Sequence, residues 1–167
     1  MTLCIAAKFK GGVLCVTDSA VSVGHNRLTK PDIKGWYRHH SFVMFSGTLY
    51  YAQEILHREE KVLRDAVLAV KKEHKDDEDD DDSAELLEVR GGEIYYHEST
   101  GAVMMAGDYG AIGHGSSMGL ALLDLIYTPG RSEKWLRGHL DNIMRIVEKY
   151  DVTVFRPARF EVVRDEE

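Results

Sequence analysis

Two short apolar runs with the turn "KGG" between them open the chain, at residues 2–9 and 13–19. Short runs around a double glycine are typical of two strands joined in a β-hairpin. The polar stretch "VGHNRLTKPD" then predicts a loop before the segment "IKGWYRH". The apolar run "SFVMFSG" follows and predicts a further short strand that ends in a glycine.

The spacing of apolar residues changes over residues 48–74, where they recur three and four positions apart. That periodicity predicts helix, as one long element or as two shorter ones. Thr48 stands immediately before the first apolar residue and is a suitable N-cap. The apolar positions are Leu49, Ala52, Ile55, Leu56, Val62, Leu63, Ala66, Val67 and Val70.

The second half of the chain repeats the order of strands and then helices. Four short runs joined by glycine-containing turns, "ELLEVR", "EIYYHE", "AVMMAG" and "YGAIGHG", predict four strands. A helix is predicted over residues 116–127, and a second one runs from the cap residue Ser132 to Tyr150. The segments "DVTVF" and "FEVV" predict a closing hairpin.

This order of elements predicts an α+β fold rather than a parallel sheet. Hairpins that alternate with helix pairs bury all of their apolar faces when two antiparallel sheets pack face to face and the helix pairs lie outside. The predicted architecture is therefore a four-layer αββα sandwich. No internal repeat and no linker divides the sequence, so residues 1–167 are predicted to form a single domain.

Composition and charge narrow the classes of function. The chain is 44% apolar and 29% charged, which is typical of a globular protein, and its formal net charge of −7 argues against a nucleic-acid binder. No apolar run approaches the roughly 18 residues of a membrane span, and the N-terminus lacks the pattern of a signal peptide. A soluble, cytoplasmic protein is expected. Cys4 and Cys15 lie within apolar runs and are expected to be buried free thiols.

An acidic run at residues 76–82 follows the first helical region. Seven consecutive carboxylates repel one another and cannot pack, so a solvated loop is predicted. A calcium site is the alternative, but the run lacks the glycine and the spaced ligands of a calcium-binding loop.

Thr2 is the first candidate for chemistry. Removal of Met1 would place a hydroxyl and a free α-amine on one residue, and an α-amine titrates near pH 8, so it can act as a base near neutral pH. A threonine activated by its own N-terminal amine is a known form of nucleophile. A small residue at a chain start is the other reading of this position.

Asp18 supports the interpretation of Thr2 as a nucleophile if the register of the first hairpin places the two residues on the same face. A three-residue turn would set Cys4 opposite Asp18 and leave Asp18 diagonal to Thr2 on the same face. A two-residue turn would shift the register and turn Asp18 to the other face. A buried carboxylate needs a cationic partner, and Lys34, expected at the start of the third strand, could supply it.

A group that stabilises a developing oxyanion is the next requirement. Gly47 stands just before a predicted helix N-terminus, where a backbone N–H and the helix dipole both favour negative charge. The segment "AIGHGSSMG" repeats this arrangement, with His114 between two glycines.

Taken together, these motifs resemble the proteasome β-type peptidases and the HslV-like protease subunits, which are N-terminal-nucleophile hydrolases. "TDSAVSVG", "SGT" before a helix, "AIGHGSSMGLALL" and "EKYDVTV" follow Thr2 in the order and near the spacing of that family. Asp18 and Lys34 follow Thr2 by sixteen and thirty-two residues, as the family pattern requires. The resemblance extends over nearly the whole chain.

The resemblance implies an αββα sandwich and a threonine peptidase that acts on polypeptides within stacked homo-oligomeric rings. Thr2 would be the nucleophile and, through its amine, the base. Asp18 and Lys34 would set its charge state, and the Gly47 N–H would form the oxyanion hole. No cofactor and no metal are implied. No phosphate-binding loop is present, so a separate ATPase would unfold substrates.

Two further residues are carried over from the family. Position 114 and Asp151 would lie near the amine, but the family usually has serine where this chain has His114. A histidine there could shuttle protons or could only fill the space. Without a propeptide, removal of Met1 would be the only activation step.

Two other classes of function remain open. A catalytically silent scaffold or binding ring with the same fold is disfavoured by the joint presence of Thr2, Asp18 and Lys34. A metal or redox enzyme would use the cysteines or histidines such as His39 and His40. Their spacing matches no common zinc motif, and adjacent histidines in a strand point to opposite faces.

Overall fold

Two antiparallel sheets form the centre of the fold in a computed structural model of the chain, which describes residues 2–23, 26–29, 34–74 and 84–164. Eleven strands run, in chain order, as β1 Cys4–Phe9, β2 Gly12–Thr17, β3 Ala20–Val23, β4 Asn26–Thr29, β5 Gly35–Arg38, β6 Ser41–Gly47, β7 Ala84–Arg90, β8 Glu93–His97, β9 Val103–Met105, β10 Tyr109–Ile112 and β11 Arg159–Arg164. One sheet has the order β10-β1-β2-β11 and the other has the order β5-β6-β7-β8-β9, while β3 and β4 form a separate hairpin.

Four helices cover the outer faces of the two sheets. They are α1 Leu49–His57, α2 Leu63–Glu73, α3 Ser116–Ile126 and α4 Glu133–Tyr150. The buried faces of α1 and α2 pack on the five-stranded sheet, and those of α3 and α4 pack on the four-stranded sheet. The result is the αββα order of layers that the sequence predicts.

Strand alternation in β1 divides its side chains between two cores. Leu3 and Ile5 face α3 and α4, whereas Cys4 and Ala6 face the opposite sheet. Cys4 and Cys15 are buried free thiols in the layer between the sheets, in agreement with their position in apolar runs. Burial raises the pKa of both thiols far above the ordinary range, so both are neutral.

Most of the predicted helices and strands are confirmed. The helical region at residues 48–74 consists of two helices, and Thr48 occupies the N-cap position of α1, although its side chain makes no capping hydrogen bond. Ser132 does cap α4, because its hydroxyl accepts a hydrogen bond from Trp135 N at 3.3 Å. The predicted strand "SFVMFSG" is β6, and the four runs after residue 83 are β7 to β10.

Two predicted segments differ from the structure. The polar stretch after the first hairpin, predicted to be a loop, contains the strand β4 and the last residue of β3. The segment "DVTVF" is not a strand, and β11 pairs with β2 instead. A local turn wins there, because the Asp151 carboxylate accepts hydrogen bonds from the main-chain N–H and hydroxyl of Thr153, at 2.9 and 2.5 Å.

The turn of the first hairpin has two residues, so the predicted three-residue register is wrong. Cys4 pairs with Thr17, whereas the sequence argument required it to face Asp18. In a continued strand this register would turn the Asp18 side chain away from the face of Thr2. The strand ends at Thr17, however, so Asp18 is released from strand alternation, and its carboxylate accepts a hydrogen bond from Leu3 N.

Two further expectations concern the acidic run and the absence of a membrane span. The acidic run at residues 76–82 lies outside the described residues. Among the helices that the structure describes, none combines the length and apolarity needed to cross a bilayer.

A buried polar pair lies under the helices α1 and α2. Glu88 of β7 and His97 of β8 are both buried, and His97 Nε2 lies 2.8 Å from Glu88 Oε2. Burial acts to raise the pKa of Glu88, but hydrogen bonds and charge from His97, Arg90 and Ser41 outweigh it and lower the pKa below its ordinary value. The ionised form of Glu88 therefore stabilises the fold.

We expect Glu88→Gln to lower the free energy of unfolding near neutral pH by about 3 kcal/mol, because it removes one charge of a buried pair. A carboxylate with a lowered folded-state pKa stabilises above its unfolded pKa, and the effect is lost as the pH falls through the folded-state pKa. The difference between variant and wild type should therefore shrink in acid. Urea unfolding at several pH values measures it, with Glu93→Gln as the surface control. An equal effect from Glu93→Gln would contradict this account.

Candidate active site

Thr2, Asp18 and Lys34 meet at one end of the sandwich, where β1 begins and β2 ends. Lys34 Nζ donates a hydrogen bond to Thr2 Oγ1 and lies 2.6 Å from Asp18 Oδ1. Asp18 is 0% exposed and Lys34 is 3% exposed. The three residues come from three separate chain segments, and the structure brings them together as the sequence predicts.

The Asp18 carboxylate is held by main-chain donors as well as by Lys34. Its Oδ1 accepts a hydrogen bond from Leu3 N at 3.1 Å, and its Oδ2 accepts one from Phe155 N at 3.3 Å. The main chain is fixed in turn, because Asp18 N donates to Leu3 O and Ser19 N donates to Phe155 O. A buried carboxylate with this many donors is compensated for the loss of water.

The contact with Lys34 defines how the hydroxyl of Thr2 can act. An ammonium group has only donors, so Thr2 Oγ1 accepts this hydrogen bond and its own proton is directed elsewhere. A positive charge at this distance stabilises the hydroxyl oxygen as negative charge develops on it. The arrangement favours a nucleophilic oxygen at Thr2.

The turn that precedes α3 lies directly against the main chain of Thr2. Gly115 N donates a hydrogen bond to Thr2 O at 3.3 Å. A Cβ atom built on Gly113, whose φ is +94°, would stand 2.2 Å from the same oxygen. Gly113 N is itself anchored to Glu85 Oε2 at 3.0 Å. The turn therefore fixes the carbonyl of Thr2 and leaves no space for a side chain at position 113.

His114 sits at the tip of this turn and pairs with Asp151. His114 Nδ1 lies 2.8 Å from Asp151 Oδ2; the histidine side chain is 69% exposed, whereas the aspartate is 8% exposed. Burial acts to raise the pKa of Asp151, but the hydrogen bonds from Thr153 and His114 outweigh it and lower the pKa. The two carried-over residues thus lie together, beside a turn that binds Thr2.

Gly47 is the last residue of β6 and precedes α1 with only Thr48 between them. Its φ of +114° is accessible to glycine and strained for other residues. The residue is exposed and lies at the surface rather than in the core. Binding of an oxyanion by its N–H stays a prediction.

Several residues of the site were missed by the sequence analysis. Phe155 supplies a main-chain donor to Asp18, Thr153 fixes Asp151, and Glu85 anchors the turn at Gly113. The apolar alternation of "DVTVF" concealed the turn, although an aspartate two residues before a threonine is a turn signal of its own. The contact made by Glu85 depends on the pairing of distant strands and has no local signal.

Within the described part of the chain, the residues that could ligate metals do not cluster. Across residues 2–23, 26–29, 34–74 and 84–164, no group of three or more His, Cys, Asp or Glu side chains is placed to hold an ion.

Comparisons with known proteins rest on structure rather than on sequence. No family model matches the chain, and no curated protein matches it in sequence. Among solved structures, Anbu (ancestral beta-subunit) from Yersinia bercovieri superposes with a TM-score of 0.79 at 17% identity, over 97% of this chain and 81% of that one. Eukaryotic HslV from Trypanosoma brucei superposes with a TM-score of 0.74 at 19% identity, over 97% and 99%.

A third similar structure is described as a helical assembly of the Anbu complex from Pseudomonas aeruginosa. Its TM-score is 0.79 at 14% identity, over 97% of this chain and 81% of that one. These likenesses show that the chain has the αββα sandwich fold of HslV and Anbu, so the predicted fold class is confirmed.

We expect Gly113→Ala to destabilise the protein by more than Gly130→Ala. Both glycines have positive φ, +94° and +73°, but nothing lies within 4 Å of a Cβ built on Gly130. Gly130→Ala therefore reports only the cost of the backbone conformation, about 1 kcal/mol, while Gly113→Ala adds the clash with the Thr2 carbonyl. Thermal unfolding of both variants measures the difference, and equal shifts would contradict a tight contact at Thr2.

Proposed function

We propose that the chain is a threonine-type peptidase subunit with Thr2 as its nucleophile. The observation that supports this most strongly is the buried Lys34 ammonium, which contacts both the Thr2 hydroxyl oxygen and the Asp18 carboxylate. An ion pair between Lys34 and Asp18 with a purely structural role would not require the Thr2 hydroxyl to contact the same lysine nitrogen. The likeness in fold to HslV and Anbu agrees with the proposal without establishing activity.

The chemistry begins with removal of Met1, which frees the α-amine of Thr2. The amine takes the hydroxyl proton, directly or through one water, as the oxygen attacks the carbonyl carbon of a peptide bond. Lys34 stabilises the negative charge on the attacking oxygen, and Asp18 holds the lysine in place. An ester forms between Thr2 and the acyl part of the substrate as the peptide C–N bond breaks and the leaving nitrogen takes up the proton, and water then hydrolyses the ester.

The oxyanion of the tetrahedral intermediate requires a hydrogen-bond donor that is in place before the reaction. The N–H of Gly47, beside the N-terminus of α1, suits that role because the helix end adds a favourable dipole. A preorganised donor of this kind is worth about 3 kcal/mol of transition-state stabilisation.

The assembly that we propose is a homo-oligomer of stacked rings built from a single domain over residues 1–167, in the cytoplasm. Polypeptides would be its substrates, and a separate ATPase would unfold those that are folded. One of the similar structures is a helical assembly of the Anbu complex, which agrees with a subunit that assembles with copies of itself.

A silent scaffold or binding subunit of the same fold is the second candidate. Thr2 is buried in the isolated chain, and that observation favours a structural role more than any other does. The same trio of residues would then serve only to close the end of the sandwich.

The proposal predicts a covalent adduct on Thr2. Protein that lacks Met1 should gain the mass of one inhibitor molecule per chain when it is treated with a threonine-directed covalent inhibitor such as a peptide β-lactone. Intact-mass spectrometry, followed by peptide mapping, measures the adduct. Thr2→Ala should form none while it keeps its fold and its assembly. Protein from native expression that retains Met1, or Met-free protein without an adduct, would refute the peptidase proposal.

Lys34→Met should slow adduct formation at least 100-fold, because it removes the charge beside the nucleophile while it conserves most of the side-chain volume. Lys8→Met is the matched control, since Lys8 also forms a 2.7 Å ion pair, with Glu93, but at the surface. Circular dichroism checks that both variants fold. Lys34→Arg, which retains the charge, provides a second variant if Lys34→Met is unfolded. Wild-type rates in a folded Lys34 variant would show that this residue is structural.

A further inference from the structure

The pair of His114 and Asp151 is not used by the chemistry proposed above, although it lies beside the nucleophile. Three hydrogen bonds fix the carboxylate of Asp151, two from Thr153 to Oδ1 and one between Oδ2 and His114 Nδ1. The aspartate is buried, whereas the imidazole is exposed.

The hydrogen bonds define which nitrogen of His114 carries a proton. Oδ1 of Asp151 already accepts from two donors, so the carboxylate is held as an acceptor, and its lowered pKa agrees with an ionised group. An ionised carboxylate cannot donate, so Nδ1 of His114 must donate across the 2.8 Å contact. In a neutral ring, Nε2 is then an unprotonated acceptor on the exposed side.

The turn that carries His114 lies against the Thr2 backbone. His114 is flanked by Gly113, which allows no side chain against the Thr2 carbonyl, and by Gly115, whose N–H binds that carbonyl at 3.3 Å. The amine and the carbonyl oxygen of one residue are only about 3 Å apart, by covalent geometry. These contacts place the main chain on both sides of His114 against that of Thr2, a position from which an imidazole can span to the Thr2 amine through one water.

We propose that His114 is the proton carrier of this site, with Asp151 as the residue that orients it. This inference rests on the proposed function of Thr2. When the Thr2 oxygen attacks, its proton moves to the α-amine. His114 Nε2 takes that proton from the resulting ammonium and delivers it to the leaving nitrogen.

The transfer balances in both halves of the reaction. In the first half the C–O bond of the ester forms, the peptide C–N bond breaks, and the proton from Thr2 Oγ1 ends on the leaving amine. In the second half a water molecule adds to the ester carbon, its proton passes to Nε2, and His114 returns it to Thr2 Oγ1 as the ester bond breaks. No oxidant, metal or other reactant is needed.

The first measurement locates the proton without any need for activity. Long-range ¹H–¹⁵N correlation spectra of the assembled protein should show the neutral His114 ring protonated on Nδ1. Asp151→Asn should convert the ring to a mixture of tautomers, because the amide can donate as well as accept. A neutral ring protonated on Nε2 in the wild type would overturn the proposal.

The second measurement separates a proton carrier from a side chain that only fills space. His114→Ala should lower kcat for a short peptide substrate about 100-fold and leave KM within about twofold. Free imidazole should restore a saturable part of the lost rate, because the side chain is open to solvent. His40→Ala is the matched control, since His40 is exposed at the β5–β6 turn, at the far end of β6 from Gly47, and it should retain the full rate.

The outcomes separate this inference from the function on which it rests. If the wild type forms the Thr2 adduct but His114→Ala reacts at the wild-type rate, the proton-carrier role is wrong and the peptidase proposal stands. A loss of rate that imidazole does not restore, together with a changed KM, shows a structural role and also overturns the inference. If the wild type forms no adduct, both proposals fall.

Discussion

The buried ammonium of Lys34 is the constraint on which the rest of the site depends. Moving a charge from water into a protein interior costs several kcal/mol per ion, so Lys34 and Asp18 must compensate each other and must find further hydrogen bonds. Those bonds come from the start of β1 and from the segment that precedes β11. The charge pair is satisfied only when both sheets are in register and packed together.

A second set of contacts fixes Thr2 from the other side. The turn at residues 113–115 holds the Thr2 carbonyl, and Asp151, at the end of α4, holds the tip of that turn through His114. Both features come from the outer helix pair and its connections. The long helix α4 therefore does more than pack on the sheet. Its C-terminal end, through Asp151, also fixes the position of the His114 side chain.

The sequence predicted the αββα class, α3, α4 and β6 to β10, because their apolar periods and turn residues are strong local signals. It could not predict the register of the first hairpin, since a double glycine permits turns of two or three residues. The meeting of Thr2, Asp18 and Lys34 was predicted, but from the wrong geometry: Asp18 reaches the site because β2 ends before it. The Phe155 N–H and the Glu85 anchor depend on tertiary contacts between distant segments, for which no local pattern exists.

The contacts of Asp18 with three distant parts of the chain also bear on the order in which the site forms during folding. Phe155 reaches this carboxylate as the last strand joins the sheet, since Phe155 lies four residues before β11. A newly made or partly folded chain therefore holds the Asp18 carboxylate without one of the donors that compensate for its burial. Completion of the fold would then also complete the surroundings of the proposed nucleophile, so that a chain still exposing its own cleavable segments would lack part of the proposed site.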